Sequence, residues 1–101
     1  MALTPEAKVK ASVKKWLNAK GIWFFMPMQS GFGVVGIPDF ICCISPRGKF
    51  FAIETKAPGK RSNVTPNQEA RISEIQLAKG IAIVVDDVKQ LDELWGVIDN
   101  G

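Results

Sequence analysis

Apolar positions along the chain fall into two rhythms. Val9, Val13, Trp16 and Leu17 recur at spacings of three and four, the signature of a helix with one buried stripe. Thr4-Pro5 supplies an N-cap followed by the proline that suits a first helical position, and Gly21 closes the segment after Lys20. Three strand-like runs follow: residues 22–28 (IWFFMPM), 37–45 (IPDFICCIS) and 49–56 (KFFAIETK). The Gly-rich stretch 29–36 separates the first two, and Pro46-Arg47-Gly48 makes a tight hairpin connection between the last two. Thr65-Pro66 repeats the helix start, with Ile72, Ile75 and Ala78 or Lys79 as its stripe, and Gly80 is expected to stop that helix after Lys79. Residues 81–85 (IAIVV) read as a strand covered on both faces. A last helix beyond Asp86-Asp87 carries Leu91, Leu94, Trp95 and Ile98 on one face. The order is helix, three strands, helix, strand, helix. It predicts an α/β fold with a mixed sheet, a parallel strand pair across the second helix, and helices on both faces.

Composition narrows the chemistry. The 101 residues include no His and no Tyr, which excludes imidazole acid/base catalysis, Ser/His or Cys/His pairs and His metal ligands. Catalysis would have to use carboxylates, lysines or a metal held by oxygens. One domain over residues 1–101 is expected. No apolar run approaches the ~20 residues of a membrane helix, and the N-terminus lacks the apolar region of a secretory signal, so a cytoplasmic protein without membrane partners is expected. Cys42 and Cys43 are adjacent and read as two free, buried thiols rather than a disulfide or metal pair. The net charge of +3 is unevenly spread. Lys8, Lys10, Lys14, Lys15 and Lys20 oppose only Glu6 in the first segment, and Lys56, Lys60, Arg61 and Arg71 oppose Glu69 further on. Asp86, Asp87, Asp92, Glu93 and Asp99 oppose Lys89 in the tail, which is expected to stay clear of a basic patch suited to a polyanion.

The reactive groups concentrate at one hairpin. Asp39 lies near the start of the second strand and Glu54 near the end of the third. A two- or four-residue loop sets them directly opposite each other, roughly 5 Å apart at Cβ. A three-residue loop with Gly48 as a bulge shifts the register by one and separates them unless a second bulge restores it. Lys56, two residues beyond Glu54, projects from the same face of the pleat. Two carboxylates forced together need a proton or a cation, and hard divalent ions bind through one or two carboxylates plus phosphate oxygens. A carboxylate pair, a metal and a lysine suit attack of activated water on a phosphodiester. Glu6 and Gln68 each line up with the stripe of their own helix. The plainer readings are a helix-dipole acid for Glu6 and a backbone-bonding first-turn residue for Gln68.

The ordered set Glu6, Gly36-Ile37-Pro38-Asp39, Glu54-Thr55-Lys56 and Thr65-Pro66-Asn67-Gln68 resembles the VRR-Nuc (virus-type replication-repair nuclease) domain, a branch of the PD-(D/E)xK nuclease superfamily, over essentially the whole chain. The resemblance implies a restriction-endonuclease-like αβββαβ core around a mixed sheet. It implies that Asp39, Glu54 and the backbone carbonyl of Thr55 ligate Mg²⁺ or Mn²⁺, with Glu6 completing the acidic cluster. Lys56 would position or activate the attacking water, and Gln68 would support the site or the substrate. Stand-alone members resemble Holliday-junction resolvases in being symmetric dimers that cut branched DNA, which makes junction DNA the expected partner.

The expected phosphate contacts are Lys8, Lys14 and Lys15 on the first helix and Lys60 and Arg61 in the polar loop. The first strand carries large apolar side chains on both faces, so one face, with Trp23 and Phe25, calls for a covering helix or a second copy of the chain. A non-catalytic DNA-binding module on the same scaffold and a small protein-interaction domain are the other readings the sequence allows.

Overall fold

The computed structural model describes residues 3–28 and 33–100; positions 29–32 of the Gly-rich loop lie outside the described residues. Helix α1 (Pro5–Ala19) starts where Thr4 Oγ1 accepts the amide of Ala7 at 3.1 Å. Strands β1 (Trp23–Phe25), β2 (Phe40–Ile44) and β3 (Lys49–Thr55) follow, then α2 (Pro66–Leu77), β4 (Ile81–Val85) and α3 (Lys89–Asn100). The element order matches the hydrophobic pattern. The first strand is far shorter than its seven-residue apolar run, with only three residues on the ladder.

The sheet runs β1-β2-β3-β4. β1, β2 and β3 are antiparallel neighbours, and α2 is the crossover that brings β4 parallel to β3. Alternation along each strand divides the residues cleanly between two faces. One face presents Phe40, Cys42 and Ile44 from β2, Phe51 and Ile53 from β3 and Val85 from β4, closed over by Val9, Val13, Trp16 and Leu17 of α1 and Leu91 and Ile98 of α3. Phe40 and Phe51 are fully buried there, each contributing about 2–3 kcal/mol of apolar burial. Trp16 joins the two helices: its indole Nε1 donates to Asp92 at 2.8 Å and its ring meets Trp95 edge-on at 5.3 Å.

The other face is covered by α2 only beside β3 and β4. Gln76 Nε2 of α2 donates to the Ala82 carbonyl at 3.0 Å, and Ile75 lies close to Gly80 and Phe50. No α2 residue is buried, so this helix rests on the sheet rather than sinking into a core. Its end differs from the expected one. Lys79, with φ of 71°, takes the left-handed conformation, while Gly80 is required for space, since a Cβ there would lie 2.8 Å from Ile75 Cγ2. Toward β1 the same face is left uncovered by the described residues. Trp23 and Phe25 are exposed beside Cys43 and Phe50, so Cys43 is an exposed thiol, not the buried one its apolar neighbours led us to expect.

Gly36 fixes how the loop before β2 meets α2. Its φ is 83°, and a Cβ would fall 2.4 Å from the backbone carbon of Asn67 and 2.7 Å from the amide nitrogen of Gln68. The two backbones touch because nothing projects between them. Gly33 has a similar φ, 87°, with nothing within 4 Å. Gly33→Ala should therefore cost about 1–2 kcal/mol of backbone strain, and Gly36→Ala at least about 2 kcal/mol more, since backbone must move. Urea denaturation of the two variants measures the difference.

Candidate functional site

The β2–β3 ladder decides where the two carboxylates go. Phe40 pairs with Ile53 and Ile44 with Lys49, with no bulge between them, so the register continues to place Asp39 opposite Glu54. The position opposite Thr55 is Pro38, which has no N–H to offer the ladder. There the Asp39 side chain takes over: its Oδ2 accepts the Thr55 amide at 2.9 Å and the Thr55 hydroxyl at 2.7 Å. These two bonds lock one carboxylate oxygen. The other, Oδ1, faces Lys10 Nζ at 3.6 Å.

Glu54 is the most deeply buried carboxyl group among the described residues. It is 3% exposed; its Oε2 accepts from Gln68 Nε2 at 3.2 Å and lies 3.8 Å from Lys56 Nζ, while its buried Oε1 has no hydrogen-bond partner. Burial, then the neighbouring Asp39 carboxylate, push its pKa from the ordinary 4.5 up to about 8, against the opposing pull of Lys56. Lys56 is itself buried and donates to Gln68 Oε1 at 2.8 Å.

Gln68 serves two purposes at once. Its backbone amide donates to Thr65 Oγ1 at 3.2 Å while its Oε1 accepts the Thr65 amide at 3.1 Å, a reciprocal capping box at the start of α2. The same side chain reaches both Lys56 and Glu54. The backbone-bonding role and the site role read from the sequence are thus one geometry.

Glu6 sits on the exposed first turn of α1, near enough to add a small upward push on Glu54. Among the described residues no three acidic or thiol side chains cluster as a metal-binding group, so the structure brings together Asp39 and Glu54, with Glu6 beside them rather than among them. Lys10 was not singled out from the sequence. The available signal was its position one turn beyond Glu6, a spacing that places both on one side of α1.

Lys8, Lys14, Lys15, Lys60 and Arg61 are all exposed. Lys8 and Ser12 line a cleft of about 390 Å³ whose other wall includes Pro58 and Asp86. Asp86 Oδ2 accepts the Gly59 amide at 2.8 Å, which ties the loop of Lys60 and Arg61 to the end of β4. The start of the acidic tail therefore does not stay clear of the basic segments, as its sequence balance led us to expect. A side-chain hydrogen bond from Gln90, then the Gly59 amide, hold Asp86 below the usual carboxylate range and so charged.

The donor set fits a hard divalent cation: two close carboxylates, one with a buried oxygen lacking a partner, and no sulfur or imidazole beside them. The raised pKa of Glu54 has a consequence for stability without added metal. Its folded form holds a proton that the unfolded chain releases near 4.5, so its contribution is fully present below that pH and is lost as pH rises through about 8. Thermal melting in EDTA should show stability falling by up to a few kcal/mol across this window, and Glu54→Gln should flatten the fall and raise stability at the alkaline end. Equal slopes in the two proteins would contradict the assignment.

No protein-family model and no curated protein sequence matches the chain. A solved structure described as a "VRR_NUC domain" does match, with a TM-score of 0.76 and 24% identity over 93% of this chain and 97% of the other. The four-stranded mixed sheet with its flanking helices is therefore the VRR_NUC, restriction-endonuclease-like fold.

Proposed function

We propose that the protein is a metal-dependent, structure-selective endodeoxyribonuclease that hydrolyses phosphodiester bonds in branched DNA, in the manner of a Holliday-junction resolvase. The observation that carries this reading is the Asp39–Glu54 pair, with Glu54 Oε1 buried and unpartnered and Lys56 Nζ 3.8 Å from the other Glu54 oxygen, on a fold shared with a VRR_NUC domain.

Asp39 Oδ1 and Glu54 Oε1 are the oxygens that would hold Mg²⁺ or Mn²⁺, with the Thr55 carbonyl as a further ligand and Glu6 within reach of the outer shell. The ion would supply a more acidic water and an offset for charge on the phosphate. The residues do the rest. Thr55 fixes the angle of the Asp39 carboxylate. Gln68 holds the Lys56 ammonium next to Glu54, where it can orient the attacking water and stabilise the developing charge. Lys8, Lys14, Lys15, Lys60 and Arg61 would contact backbone phosphates, which gives steep salt dependence and little sequence preference.

Trp23 and Phe25 share a sheet face with Cys43 and Phe50 that α2 leaves open. This apolar strip begins one pleat from the carboxylate pair on the same face. A second copy related by a two-fold axis would bury it and would carry two sites to the two strands of a symmetric junction.

The test is cleavage of a labelled four-way junction, a linear duplex and a single strand with Mg²⁺, Mn²⁺ or EDTA, alongside light scattering of the protein. Junction cutting that EDTA abolishes and Asp39→Asn reduces by about 100-fold or more is expected, from a dimer that Trp23→Lys converts to monomer. Binding without cutting would select the non-catalytic DNA-binding module, and neither binding nor cutting the protein-interaction domain. A wild-type monomer at tens of micromolar would remove the dimer.

A further inference from the structure

Asp39 presents two unlike oxygens. Oδ2 accepts two hydrogen bonds from Thr55 at 2.9 and 2.7 Å, whereas Oδ1 is opposed by Lys10 Nζ at 3.6 Å. The latter distance is beyond a good hydrogen bond but within Coulombic reach. The Lys10 side chain is 36% exposed and Asp39's is 17%. Among the described residues Lys10 is thus held by charge alone, on a flexible stem that has solvent on one side. Oδ1 is also the Asp39 oxygen free to ligate a cation, and an ammonium and a divalent ion cannot share it without strong repulsion.

We propose that Lys10 is a displaceable counter-cation: its ammonium faces Asp39 Oδ1 while no metal is bound, yields that oxygen to a divalent ion, and on release pairs with a phosphate of the bound DNA. This rests on the metal-dependent nuclease reading above, and it adds a coupling that reading lacks. Before loading, Lys10 is neutralised by Asp39 and has little attraction for DNA. After loading, the same charge is available at the point where the scissile strand enters. Divalent binding therefore strengthens DNA binding, and DNA strengthens divalent binding by the same factor.

Lys56 does not play this part. It is buried, and its ammonium donates at 2.8 Å to Gln68, which is itself fixed by the α2 cap. Lys10 has no such anchor on its own helix among the described residues. The two lysines thus divide the work between a fixed cation and a movable one.

The experiment measures binding rather than turnover. Mn²⁺ affinity is read by EPR without DNA, and four-way junction affinity is read by fluorescence anisotropy in Ca²⁺ and in EDTA. Wild type is compared with Lys10→Met, Lys10→Arg and Asp39→Asn. Lys10→Met, similar in length and uncharged, should bind Mn²⁺ about tenfold more tightly, because a competing charge within 4 Å is gone. The same variant should lose at least about threefold of the gain in junction affinity that Ca²⁺ gives wild type. Lys10→Arg should stay close to wild type in both, which controls for folding. Unchanged or weaker Mn²⁺ binding by Lys10→Met, or tighter binding with the Ca²⁺ gain intact, would overturn the proposal. If wild type and Asp39→Asn bind Mn²⁺ equally, the metal-site reading itself has failed. If Asp39→Asn loses the ion while Lys10→Met matches wild type, only the displaceable counter-cation has failed.

Discussion

Everything around the candidate site follows from keeping two carboxylates adjacent in a corner nearly closed to water. Isolated, each would be well solvated. Together, with Glu54 3% exposed and an oxygen left unpartnered, burial first and repulsion from Asp39 second make Glu54 hold its proton up to a pKa of about 8. Such an arrangement costs stability unless a cation joins it. The protein supplies partial compensation from three directions: Thr55 donates twice to Asp39, Gln68 and Lys56 approach Glu54 Oε2, and Lys10 faces the remaining Asp39 oxygen. What remains without a partner is the buried Glu54 Oε1, an oxygen of the kind a hard divalent ion takes as ligand.

The fold makes this corner by geometry that is cheap to encode. An unbulged hairpin sets Asp39 against Glu54, and the pleat then brings Lys56 to the same side. The parallel crossover returns α2 over that face, and its capping box points the Gln68 side chain at both Glu54 and Lys56. Gly36 lets the loop leading to Asp39 press directly on the first turn of α2, so the segment bearing one carboxylate and the helix bearing the glutamine cannot drift independently. The helix cap and the site are one hydrogen-bond network.

Much of this was legible in the sequence because it depends on short-range periodicity. Thr-Pro pairs marked the starts of α1 and α2, and the hairpin allowed two registers, of which the unbulged one that sets Asp39 against Glu54 is the one observed. The Gly36, Asp39, Glu54, Lys56 and Gln68 positions carried the resemblance that the fold comparison bears out. What escaped reading depends on contacts distant in the chain. Lys10 looked like one solvated lysine among five because nothing local says that Asp39 lies beside it. Cys43 read as buried because its strand is apolar, whereas burial there depends on whether α2 extends over β2. Asp86 looked like the start of a remote acidic tail, but the parallel strand β4 ends beside the loop of Lys60 and Arg61. Apolar residues 22–28 promised a long strand, and only three of them find a partner on β2.

The exposed strip of Trp23, Phe25, Cys43 and Phe50 and the carboxylate corner lie on one face of one sheet. The most direct measurement of the central claim is a crystal of the wild-type protein grown with Mn²⁺ and examined by anomalous diffraction. A peak about 2.0–2.3 Å from Asp39 Oδ1 and Glu54 Oε1 is the expected result. Saturating Mn²⁺ with no peak between these carboxylates, or with the ion bound only elsewhere, would contradict it.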